Sequence, residues 1–90
     1  QKLDKNGLVQ FSGMVVTSDS LVPVPFASVM IKNSNRGTIS DYFGFFSFVA
    51  KMHDTIEFAA IGFKKAIFVI PCKTIQQEFI MQVSSHQSIY

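Results

Sequence analysis

Strand-forming segments recur along this chain at short intervals, and that recurrence limits what it can fold into. Apolar, β-branched and aromatic runs of about five to eight residues are separated by Gly, Pro, Asn, Asp and Ser. Chains punctuated in this way build sandwiches or barrels. No stretch combines helical periodicity with helix caps.

The first run covers residues 8–17. Val9, Phe11, Gly13 and Val15 alternate with Leu8, Gln10, Ser12 and Met14. A period of two sends the two sets to opposite faces of a sheet. Ser18, Asp19 and Ser20 end the run, and Pro23 and Pro25 keep the next segment out of a central ladder. Residues 26–32 read as a second strand, closed by a turn at Asn33, Ser34 and Asn35. Residues 37–40 form a third strand, 41–44 a turn, and 45–49 a fourth strand. Residues 51–54 lead into a fifth at 55–60. Gly62 turns the chain into a sixth at 63–70, which Pro71 stops. A seventh runs from Ile75 to about Gln82. Residues 1–7 read as a flexible N-terminal segment, 8–82 as the domain, and 83–90 as a tail or linker.

Seven strands in so short a chain fit two stacked sheets, an all-β sandwich of antiparallel, Greek-key type. The expected core is Phe11, Val15, Val29, Ile31, Phe46, Phe48, Ile56, Phe58, Phe68, Phe79 and Met81.

Ninety residues make one domain, able to bury about 64% of its extended surface. Hydrophobic residues make up 48%, ten residues are Phe, and only 16% are charged. That balance favours a packed core over disorder. The net charge is +2, and the basic residues are scattered, so the concentrated face of a nucleic-acid binder is missing. The single cysteine, Cys72, excludes an internal disulfide and a multi-cysteine zinc site. It reads as a half-buried thiol. His53 and His86 stand in no motif that would make Cys72 a nucleophile. No apolar run is long enough to span a membrane as a helix. The start at Gln1, in a polar stretch, is expected of a trimmed segment or of a mature protein after signal removal.

Three segments in order carry a family resemblance. The first is Gly13-Met14-Val15-Val16, leading to Val24-Pro25-Phe26-Ala27-Ser28-Val29. The second is Arg36-Gly37-Thr38-Ile39-Ser40-Asp41-Tyr42-Phe43-Gly44-Phe45-Phe46-Ser47-Phe48. The third is Asp54-Thr55-Ile56-Glu57-Phe58-Ala59-Ala60-Ile61-Gly62-Phe63-Lys64. Together they resemble the carboxypeptidase regulatory-like domain, a transthyretin-like (prealbumin-like) seven-strand sandwich. The version most similar stands at the N-terminus of TonB-dependent outer-membrane receptors and in other bacterial envelope proteins. The resemblance covers about residues 8–82. It implies an accessory or interaction module without catalytic residues and without a cofactor, in the periplasm or secreted. Where that family usually places polar or acidic residues before the turn glycine, this chain has Tyr42 and Phe43, with Phe45 after it.

The motif residues read as structural. Ser40 and Asp41 accept backbone N–H groups in the turn before strand four. Gly44 supplies a positive φ, Asp54 closes the turn before strand five, and Gly62 makes a tight corner. The acidic residues are dispersed, and no run offers the roughly six oxygens calcium needs. A hydrolase of small cyclic ureides would need a His, Arg and Ser cluster, for which His53, His86 and Arg36 are too few and too far apart. Lys64 and Lys65 read as a solvated edge that discourages strand pairing.

Four aromatics fall within five positions: Tyr42, Phe43, Phe45 and Phe46. Phe46 points inward, so Phe45 points out, with Tyr42 and Phe43 in the turn. Met14 and Val16 lie on the same outer face by parity. Tyr42, Phe43, Phe45 and Met14 are the candidate surface for a protein partner or for self-association, which Val16 would extend. The alternative is a carbohydrate stacked on the exposed rings, although Trp is absent.

Overall fold

The computed structural model describes residues 8–71 and 79–85. The expectations for residues 1–7, Cys72, the start of the seventh strand and the tail from His86 lie outside the described residues. The strands are β1 (Leu8–Thr17), β2 (Ser28–Ile31), β3 (Gly37–Ile39), β4 (Phe45–Lys51), β5 (Thr55–Ala59), β6 (Ala66–Val69) and β7 (Phe79–Val83). They form two sheets, β4-β1-β7 and β3-β2-β5-β6. The described residues contain no helix, so the fold is an all-β sandwich.

Alternation within the strands builds the core. Phe11 lies on β1 with no exposed surface, and its ring meets those of Phe46, Phe48, Phe68 and Phe79 at centroid distances of 5.3, 6.1, 5.7 and 5.1 Å. Phe68 and Phe79 come within 4.3 Å of each other. β6 and β7 belong to different sheets, so this contact closes the gap between the layers. All eleven residues expected in the core are there. Seven are buried, and Phe48, Phe68, Phe79 and Met81 are half-buried against them. Val24 and Ala27 join the core from outside the strands, because residues 23–27 cross over one end of it.

The structure differs from the sequence expectations in several places, among them Val83, expected in the tail, which instead ends β7 and is buried in the core, and β4, which runs on to Lys51. The β1·β7 ladder is parallel, with Gly13 opposite Phe79 and Thr17 opposite Val83, while the other ladders are antiparallel. β7 follows β6 of the opposite sheet, and a connection between sheets does not impose the antiparallel direction of a hairpin. Strand two begins at Ser28 rather than Phe26. The Phe26 N–H donates to Ser40 O and the Ala27 N–H to Ser40 Oγ, so neither enters the β2·β5 ladder. Strand six begins at Ala66 rather than Phe63, since Phe63 bridges Ser85 and the Lys64 N–H donates to Ser84 O at 2.8 Å. Val16 is buried and does not extend the outer patch. It pairs with Pro23, and the Thr17 N–H bonds Val22 O, which folds the 18–23 loop back over it.

Gly44 fixes where β4 begins. Its φ is +82°, and a Cβ there would meet Val15 O at 2.7 Å. The Val15 N–H also donates to Gly44 O at 2.8 Å. Gly44→Ala therefore meets both a disfavoured backbone region and a backbone oxygen. The expected loss is about 2 kcal/mol or more, read as a lower urea midpoint with an unchanged slope.

Candidate functional site

Hydrogen bonds place the aromatic turn. Asp41 Oδ1 accepts the Phe43 N–H at 2.8 Å and the Phe45 N–H at 3.0 Å. The Asp41 N–H donates to Phe45 O at 2.8 Å, and the Gly44 N–H donates to Asp41 O at 2.9 Å. Asp41 thus closes the turn and also occupies the open side of β4 at Phe45. With the backbone held, Tyr42 and Phe43 project into solvent, 70% and 61% exposed. Their rings meet edge to face at 5.3 Å and 87°.

Phe45 faces outward next to this turn. It stands opposite Met14 on β1, and Met14 stands opposite Ile80 on β7. A row of three apolar side chains therefore runs across the outer face of the three-stranded sheet. Phe45 and Ile80 are exposed and Met14 is half-buried. The next row is polar: Ser12 lies opposite Ser47, whose Oγ accepts from Gln10 Nε2 at 2.7 Å. The patch is thus bounded on one side by hydrogen-bonding groups. Ile80 was missed in the sequence because its place depends on the parallel β1·β7 register, which no local signal encodes.

The other named residues serve the frame. Ser40 is buried, and its Oγ accepts the Ala27 N–H at 2.7 Å and donates to Val24 O at 2.9 Å. It ties the 23–27 crossover to the end of β3 instead of acting only within the turn. Asp54 Oδ2 accepts the Lys51 N–H at 2.8 Å across the β4–β5 turn, where His53 sits at a φ of 72°. Gly62 has a φ of 89° at the β5–β6 corner. Arg36 Nη2 donates to Val49 O at 2.7 Å and covers part of the outer edge of β4. Lys64 and Lys65 are exposed just before β6. The hydroxyls of Ser20 and Thr17 hold the Asp19 carboxyl below the usual range. Among the described residues, no three of His, Cys, Asp or Glu lie close enough to share a metal ion.

Sheets, turns and surface define a small β-sandwich module built around a Phe cluster. The chain belongs to the CarboxypepD_reg-like domain family, whose profile matches residues 11–89. Domains of this family are non-catalytic regulatory modules, typical of extracellular or envelope proteins. No curated protein and no solved structure matches the chain. No helix among the described residues is long and apolar enough to cross a membrane.

Proposed function

We propose that this domain is a non-catalytic accessory module of a bacterial cell-envelope protein, periplasmic or secreted. It makes protein–protein contact through Tyr42, Phe43, Phe45, Met14 and Ile80, with a second copy or another envelope protein. One observation carries the reading. The Phe45–Met14–Ile80 row crosses three strands and meets an aromatic turn that Asp41 holds open to solvent. Contiguous apolar surface of this kind is a mark of interaction sites. A sugar platform is less well supported, because the Tyr42 and Phe43 rings stand at 87° and offer no flat shelf.

Replacing Phe43 and Phe45 by Ser tests the reading, since both side chains are exposed and the fold does not need them. Sedimentation velocity of the wild type is expected to show association that the double variant loses, with both melting alike. Monomeric behaviour in both, with no partner lost in capture from envelope extracts, would contradict the proposal.

A further inference from the structure

The two ends of the sandwich differ in character. Loops 32–36 and 51–54 at one end carry no exposed large apolar side chain. At the other end, loops 18–27 and 60–65 carry Leu21, Val22, Phe26 and Ile61, all exposed. The two loops adjoin: Phe26, Ile61 and Phe63 line one open cleft, which Lys65 also borders. The Ser18 and Ser84 hydroxyls meet at 3.2 Å, and Ser84 O takes the Lys64 N–H.

Two of these side chains are held outward against backbone preference. Leu21 has a φ of 56° and Phe26 a φ of 58°, a region that bulky residues rarely occupy. Phe26 is fixed there by the Ser40 hydrogen bonds and is still 66% exposed. Backbone strain that aims an apolar side chain at water points to a use for it. Ile61 is fully exposed beside Gly62, and a Cβ on Gly62 would meet nothing within 4 Å, so this tip stands free. Lys64 and Lys65 follow it, and no described carboxylate forms an ion pair with either. Of the carboxylates at this end, Asp41 is turned to backbone N–H groups, and Asp19 accepts from Ser20 Oγ at 3.2 Å.

We propose that this end docks on an anionic lipid surface. Leu21, Val22, Phe26 and Ile61 enter the interfacial layer, and Lys64 and Lys65 meet the headgroup phosphates. Apolar tips beside lysines that no described carboxylate pairs combine apolar burial with attraction to anionic headgroups. The exposed side chains rise from two loops around an open cleft, a relief that a deformable layer can follow. The surface is separate from the Phe45–Met14–Ile80 row, which lies on a sheet face, while the exposed Tyr42–Phe43 turn stands at the same end, with Gly44 against Val24 and Pro23.

The test is flotation of the 90-residue chain with vesicles of phosphatidylglycerol and phosphatidylcholine in equal parts, against phosphatidylcholine alone. Binding is expected on the anionic vesicles only, weakening as salt is raised. Lys64→Gln with Lys65→Gln is expected to lower affinity about 25-fold, about fivefold per lysine. Leu21→Asn, Phe26→Asn and Ile61→Ser together are expected to abolish binding with the melting midpoint retained, because Asn tolerates the left-handed backbone. Asp19→Asn is expected to strengthen binding. Tyr42, Phe43 and Phe45 are untouched in all variants, so failure here leaves the protein-contact proposal standing. Absence of binding to the anionic vesicles, equal binding to phosphatidylcholine alone, or full binding by the folded triple variant would overturn the proposal.

Discussion

Phe11→Ala is expected to destabilise the domain by about 3–5 kcal/mol, the range for deleting a buried Phe. Phe11 has no exposed surface and touches four other Phe rings drawn from both sheets. The void cannot collapse by moving one neighbour, because Phe46 and Phe48 are fixed on β4, Phe68 on β6 and Phe79 on β7. That puts the loss at the high end of the range. In a domain of this size each kcal/mol moves the midpoint by about 4–8 °C, so a fall of about 15 °C or more is expected in a calorimetric melt. A fall of only a few degrees would mean that the cluster does not hold the two layers together. Phe11→Leu fills most of the volume and is expected to cost much less.

Ser40→Ala is expected to be the costliest change at a polar position. The hydroxyl links the Ala27 N–H to Val24 O, and both Val24 and Ala27 are buried. Removing it leaves a buried donor and a buried acceptor without partners, at about 1–3 kcal/mol each. Water cannot replace it without opening the crossover. The backbone bonds from Phe26 N–H to Ser40 O and from Ser40 N–H to Ala27 O remain, so the loss is confined to the side chain. Urea unfolding checks the magnitude, and hydrogen exchange checks the place: the Ala27 amide is expected to lose protection while β5 amides keep theirs. Equal stability of variant and wild type would show that the crossover is held by packing alone.

The fold was legible because its main determinant is local. Alternation in β1 and the Phe residues at inward positions on β4, β5 and β6 give both the strands and the core. The features that were not legible depend on partners distant in sequence. Nothing around Ser40 signals burial, which arises only when residues 23–27 cross over it. Val16 looks outward by parity and is covered by the loop after it. Phe26 sits in a run that reads as strand, yet Ser40 draws its backbone into a left-handed turn. On the candidate surface, Tyr42, Phe43, Phe45 and Met14 could be named from turn chemistry and period two. Ile80 could not, because a parallel pairing between two sequence-distant strands decides its neighbours.

The central claim is that the face bearing the aromatic turn meets a protein. Photo-crosslinking in the native host tests it directly. A benzophenone side chain is placed at Phe43, and as a comparison at Asn35 in the polar turn between β2 and β3. The expected result is a defined covalent protein adduct from position 43 and none from position 35. No adduct from position 43, or the same adducts from both positions, would contradict the claim.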